Sequence, residues 1–185
     1  MKKTVLTFGL IGGVVISALM LINTAFAKRI GFDNAEIVGY TAILLSFLMV
    51  FFGIRSYREN VGNGYITFGR ALTVGALITL ITSIFYVLSW EVVYFNFMPD
   101  FITDYANHLV EKMRAEGATQ QAIDAKLQEM RDFKQLYDNP FLNPVITLIE
   151  PVPVGLLVTL ISSLILRKKR GDSAPTSEPA ERMVA

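Results

Sequence analysis

The sequence predicts an all-α membrane protein, a four-helix transmembrane bundle with an amphipathic helical hairpin between its third and fourth spans. Three observations predict it. Of 185 residues 52% are hydrophobic and only 18% charged, where a soluble domain carries about 25% charged residues. Four apolar stretches each approach the roughly 20 residues that cross a hydrocarbon core about 30 Å thick. Basic residues gather at alternate ends of those stretches, as the positive-inside rule requires.

The first stretch runs from Thr4 to Ala27. Gly9, Gly13 and Ser17 form a small-residue stripe on it, which lets a neighbouring helix approach closely. "MKK", an apolar run and "AFA" also match a secretory signal cleaved after Ala27. The run is longer than the usual core of about 7 to 15 residues, and the stripe suits a retained helix, so retention is expected. The second span, Ile37 to Ile54, and the third, Ala71 to Val93, are joined by "GIRSYRENVGNGYITFGRAL" with Gly62, Asn63 and Gly64 as the turn. Arg55, Arg58 and Arg70 of this connection are expected to anchor topology. Binding of anionic headgroups or of an acidic partner is the other reading. The third span has a small stripe at Ala71, Gly75, Thr79 and Ser83, and the fourth, Val145 to Leu166, has one at Gly155, Thr159 and Ser163. These faces should meet one another.

Between the third and fourth spans, residues 99–138 predict an extracytoplasmic hairpin. Phe101, Tyr105, Leu109 and Met113 form one apolar stripe. Gly117 is the expected stop and Thr119 the expected cap of a second helix, which has its own stripe at Ile123, Leu127, Met130 and Tyr137. Lys2, Lys3, the loop arginines and Arg167–Arg170 share one side when there are four spans, so both termini are expected in the cytoplasm. Residues 171–185 read as a disordered tail.

Glu150 stands beside Pro151 and Pro153 at the start of the fourth span. The prolines lack backbone donors, so a kink or break is expected there, with the carbonyls of Thr147 and Ile149 left free and Glu150 pushed out of helical geometry. From Pro151 to Leu166 a helix spans only about 24 Å, so the residues before the break must complete the crossing. Glu36, Glu91 and Glu150 all lie toward the same membrane face, and their convergence would make a site for a hard cation or a proton. The plainer reading leaves Glu36 and Glu91 wet at the interface and pairs Glu150 with Lys28 or Arg29.

"GYTAILLSFLMVFFGIRSYREN", "GYITFGRALTVG", "MPDFITDY" and "EPVPVGLLVTLISSLIL" together resemble a family of bacterial membrane proteins, domain of unknown function 4199. The residues that match its pattern include Gly39, Tyr40, Arg58, Gly75, Glu150 and Pro153. The resemblance implies a four-helix architecture in a bacterial cytoplasmic membrane and no activity.

Several chemistries lack material. There is no cysteine and a single histidine, His108, expected to be a surface residue. Thiolate zinc, iron–sulfur clusters, cysteine nucleophiles and sites with two imidazoles are thereby excluded within one chain. No phosphate loop, nucleophile elbow or dinucleotide fingerprint is present, and no cofactor is expected. Nucleic acid is not an expected partner, since the basic residues sit at membrane boundaries. The leading expectation is a non-enzymatic packing or interaction protein, partnered by the bilayer and by a second copy or another membrane protein. The alternative is an oligomeric ion- or proton-coupled transporter or channel using the carboxylates. An intramembrane enzyme is the weakest reading.

Overall fold

The computed structural model describes residues 1–168, except the side chains of Ala27, Lys28 and Ile30. Seven helices are formed among them: α1 Lys2–Ile30, α2 Phe32–Asn60, α3 Phe68–Phe97, α4 Phe101–Ala115, α5 Gln120–Tyr137, α6 Asn143–Thr147 and α7 Pro151–Leu166. α1, α2, α3 and the α6–α7 segment are each long and apolar enough to cross a membrane. The tail expected at 171–185 and the last two basic residues, Lys169 and Arg170, lie outside the described residues.

Burial is distributed as lipid solvation requires. Leu10, Val14, Leu44, Leu48, Leu80, Ile84, Leu88, Leu157 and Ile165 face outward, whereas Ser46, Thr79, Thr82, Ser83, Thr159, Ser162 and Ser163 are buried between helices. Leucine gains nothing by leaving a hydrocarbon solvent, so small side chains that allow close backbone contact occupy the interfaces instead. α3 is the central helix and touches α1, α2, α6 and α7. The small stripes of α3 and α7 meet as expected. Thr79 Oγ1 donates to the Gly155 carbonyl at 3.3 Å and lies 3.0 Å from Thr159 Oγ1. Another face of α3 receives the α1 stripe, where Ile81 and Phe85 sit over Gly9 and Gly13 and Ser89 donates to Ser17 at 2.7 Å.

α2 and α3 outrun the apolar stretches at both ends, because backbone bonding continues where the side chains turn polar. A turn with Asn63 at φ 50° and Gly64 at φ 85° reverses the chain between them. Ile66 and Lys168 then exchange two backbone hydrogen bonds of 3.0 Å, tying this connection to the end of α7.

α4 and α5 pack on each other. Gly117, at φ 78°, ends α4: its N–H donates to the Arg114 carbonyl and the next N–H, of Ala118, to the Met113 carbonyl. Those are the two bonds of a Schellman stop, in which glycine avoids the clash of a Cβ. Thr119 caps α5 through the Ala122 N–H. The buried stripe of α4 is Ile102, Ala106 and Val110, one residue out of phase with the sequence expectation. Phe101, Tyr105 and Leu109 lie half-buried at its edge, and the rings of Phe101 and Tyr105 reach sideways to Phe32.

The fourth segment is broken, in a different manner from that expected. Residues 148–150 form a turn between α6 and α7, and Pro151 and Pro153 stand in the first turn of α7, where a missing N–H leaves no bond unmade. The Thr147 carbonyl is not left free, since it accepts from the Glu150 N–H at 3.4 Å. Glu150 keeps helical dihedrals, φ −77° and ψ −59°. The steric bias of a residue before proline is a preference, and here the packing of α6 and α7 against α3 on either side overrides it.

Candidate functional site

Glu150 ends the turn before α7, and Tyr86 projects toward it from α3. The buried Tyr86 hydroxyl donates a hydrogen bond to Glu150 Oε2. A phenol in an apolar helix must find an acceptor, and a carboxylate offers two oxygens. No ion pair reaches Glu150 from Arg29 among the described residues, and the Lys28 side chain lies outside them. One partner of Glu150 is thus a tyrosine 64 residues away.

The three glutamates do not converge. Glu36 and Glu150 line one cavity of about 620 Å³, but Glu91 is absent from its walls. Trp90 takes the wall position, and one residue further along a helix turns the next side chain by about 100°. Glu91 Oε1 is buried without a hydrogen-bond partner among the described residues. No group of three acidic or histidine side chains able to hold a metal ion is formed among them.

The cavity lies where the spanning helices meet the α4–α6 headpiece, and Tyr40, Trp90, Phe101, Tyr105 and Phe133 give it aromatic walls. Trp90 meets Phe101 edge to face at 5.3 Å, and Phe101 stacks on Tyr105 at 6.3 Å.

A directed chain of hydrogen bonds fastens the headpiece to α3. Trp90 Nε1 donates to the Tyr137 hydroxyl at 2.6 Å, which leaves the Tyr137 proton for Thr147 Oγ1 at 3.2 Å. Thr147 donates to Asn143 Oδ1 at 2.9 Å, and Asn143 Nδ2 closes the circuit on the Tyr137 carbonyl at 2.9 Å. Burial pushes the Tyr137 hydroxyl above the ordinary tyrosine range, so it stays a neutral donor. Beside it Tyr94 donates to Asp138 Oδ1 and Lys134 to Asp138 Oδ2, each at 2.6 Å. None of Tyr86, Trp90, Tyr137 or Asn143 stands out as a site residue in the sequence. The one local signal is a tyrosine or tryptophan inside an apolar run, which must find a polar partner.

Burial raises the Asp138 carboxyl, but its bonds to Lys134 and Tyr94 outweigh that and hold it below the usual carboxylate range. The folded state therefore binds fewer protons than the unfolded state in acid. The stabilisation is complete above the ordinary aspartate pKa and is lost as the pH falls through the folded value. Below about pH 4 the wild type is expected to lose stability more steeply than Asp138→Asn in paired thermal melts, by a modest margin because the pair is solvent-screened. Parallel profiles would remove Asp138 from the fastening.

The basic residues divide by role. Arg58 donates from Nη1 to the Leu166 carbonyl at 3.4 Å, at the carbonyl end of α7 where positive charge is favoured, and it also pairs with Glu59. Arg55 pairs with Glu59 at 3.1 Å. Arg70, Lys168 and Met1 line a second cavity of about 940 Å³ at that same end. His108 is half-buried, 3.3 Å from Asp33 and against the Phe32 ring at 5.3 Å, so it links α4 to the start of α2.

No curated protein and no solved structure matches the chain. A family model described as "Protein of unknown function (DUF4199)" matches residues 7–168. With four helices long and apolar enough to span a bilayer and a match over most of its length, the chain belongs to the DUF4199 family, proteins of unknown function.

Proposed function

We propose that this is a non-enzymatic, multi-pass protein of a bacterial cytoplasmic membrane that works by binding, with both termini cytoplasmic and the α4–α6 headpiece outside. The observation that carries the reading is the cavity at the junction of bundle and headpiece, whose walls come from both. Its volume falls within the roughly 300–1,000 Å³ of small-molecule sites. The small-residue faces are already used between α1, α3 and α7, which leaves the cavity and the headpiece as the specific surfaces. Grouping of Met1, Arg58, Arg70 and Lys168 at the opposite end supports the orientation. Ion- or proton-coupled transport is the less favoured reading, because Phe47, Val50, Ile54, Val74 and Ile78 fill the bundle interior of the single chain.

The lack of cysteine makes the topology directly testable. A membrane-impermeant maleimide is expected to label Gln121→Cys on intact cells and Val61→Cys only after the membrane is opened; the reverse pattern would sink the orientation. For the binding role, native mass spectrometry of gently extracted protein is expected to show a small-molecule adduct that Trp90→Ala loses. A bare mass in freshly extracted wild type would remove that role.

A further inference from the structure

Among the described residues, the charged groups lining the cavity beside Glu150 are all carboxylates: Glu36, Glu129 and Glu150 line it, and no described lysine, arginine or histidine does. Glu129 is already matched by Lys126 at 2.8 Å. Neither Glu36 nor Glu150 enters an ion pair among the described residues. The Tyr86 hydroxyl satisfies part of one carboxylate without neutralising it. A carboxylate at the edge of a low-dielectric layer gains from a positive charge brought close, and the faces of tryptophan and tyrosine attract cations as well.

Size decides which cation. At about 620 Å³ the cavity has roughly twenty times the 30 Å³ that one water occupies in the liquid, and no trio of ligands for a metal is formed among the described residues. Aromatic walls suit an apolar body. We propose that the cavity binds an amphipathic organic cation, an ammonium group carrying an apolar chain, with Glu150 as its counter-ion, Glu36 at the mouth, and Tyr40, Trp90 and Phe101 against the chain. This rests on the binding role proposed above and names its ligand class. The ammonium is that of a free amine or of an aminolipid headgroup.

The chain contains one tryptophan, Trp90, and it lies in the cavity wall, so its emission reports occupancy. Protein in nanodiscs of phosphatidylglycerol is titrated with hexyltrimethylammonium, and with hexanol as the neutral comparator. A saturable change in wild-type emission is expected, at least tenfold weaker in Glu150→Gln, retained in Glu150→Asp and weak with hexanol. Glu36→Gln, at an exposed position of α2, gives a second variant with a smaller loss should Glu150→Gln fold poorly. Phosphatidylethanolamine in the disc that competes with the probe assigns the aminolipid source; unchanged binding assigns a free amine.

Equal binding by wild type and both Gln variants, or by hexanol and the cation, would overturn the ligand class. Binding seen only after Lys28→Ala would do the same, since Lys28 would then be the resident counter-ion. A hexanol response without a cation preference would leave the binding role standing. Silence toward both probes, with no adduct in the mass spectrum, would end both proposals.

Discussion

Replacing Gly155 with valine is expected to collapse the yield of folded, monodisperse protein. A Cβ at this position would lie 2.4 Å from Thr79 Cγ2 and 2.8 Å from Phe47 Cζ, so α7 must move away from both α2 and α3. That movement also pulls the Gly155 carbonyl from Thr79 and Thr159 from the Thr79 hydroxyl. Overpacking costs about 1–3 kcal/mol where a core can adjust, and a backbone-to-side-chain contact between two helices has little room to do so. Loss of about 3 kcal/mol or more is the expected scale, well above the 0.5–1 kcal/mol that leaving glycine behind contributes to a helix. Gly39→Ala provides the opposite sign. Nothing lies within 4 Å of a Cβ there, so the substitution is expected to raise stability by about 0.5 kcal/mol. Thermal unfolding in detergent, with size-exclusion profiles, checks both. Indistinguishable melting of Gly155→Val and wild type would disprove the close crossing of α3 and α7.

Asn143→Ala is expected to release the headpiece while leaving the spanning bundle assembled. Asn143 is fully buried, and its amide bridges the Tyr137 carbonyl and the Thr147 hydroxyl. Removing it strands a buried acceptor and a buried donor, at roughly 1–3 kcal/mol for each group. The expected loss of about 2–6 kcal/mol falls on α4–α6, since the other contacts of α3 with α1, α2 and α7 do not pass through Asn143. Limited trypsin digestion should then cut faster at Lys126, Arg131 and Lys134 in the variant than in the wild type. Equal cleavage, with unchanged melting, would show that the circuit does not hold the headpiece in place.

Both variants concern features of unequal visibility in the sequence. Gly155, Thr159, Gly75 and Thr79 were legible as stripes because helical periodicity alone puts residues four apart on one face. The pairing of the two stripes was legible as well, since lipid leaves close packing as the main force between helices. Gly117 and Thr119 were legible because each acts within one turn of its own backbone. Asn143 was not. Its partners lie on other elements, and its neighbouring prolines pointed only to a chain break. The same applies to Tyr86 and Glu150, which meet across 64 positions, and to Trp90 and Tyr137, across 47. The phase of α4 was missed by one residue because rings at the edge of a stripe look apolar in sequence and yet reach sideways to Phe32 and Trp90.

Glu91 shows the limit most directly. Sequence reasoning could place it with Glu36 and Glu150 on one side of the membrane, because depth follows from counting residues along a helix at about 1.5 Å each. It could not give the azimuth, which depends on how α3 is rotated among four neighbours. By itself, the amino-acid order determined the number of helices apolar enough to span, where their apolar cores lie, the ends at which positive charge collects and the stops and caps of the headpiece. All of these are governed by the solvent and by bonds within one turn. Which carboxylates share a cavity, which hydroxyl meets Glu150 and which side chains fasten the headpiece were decided only by tertiary packing, since each depends on relative rotations of helices that no local period encodes.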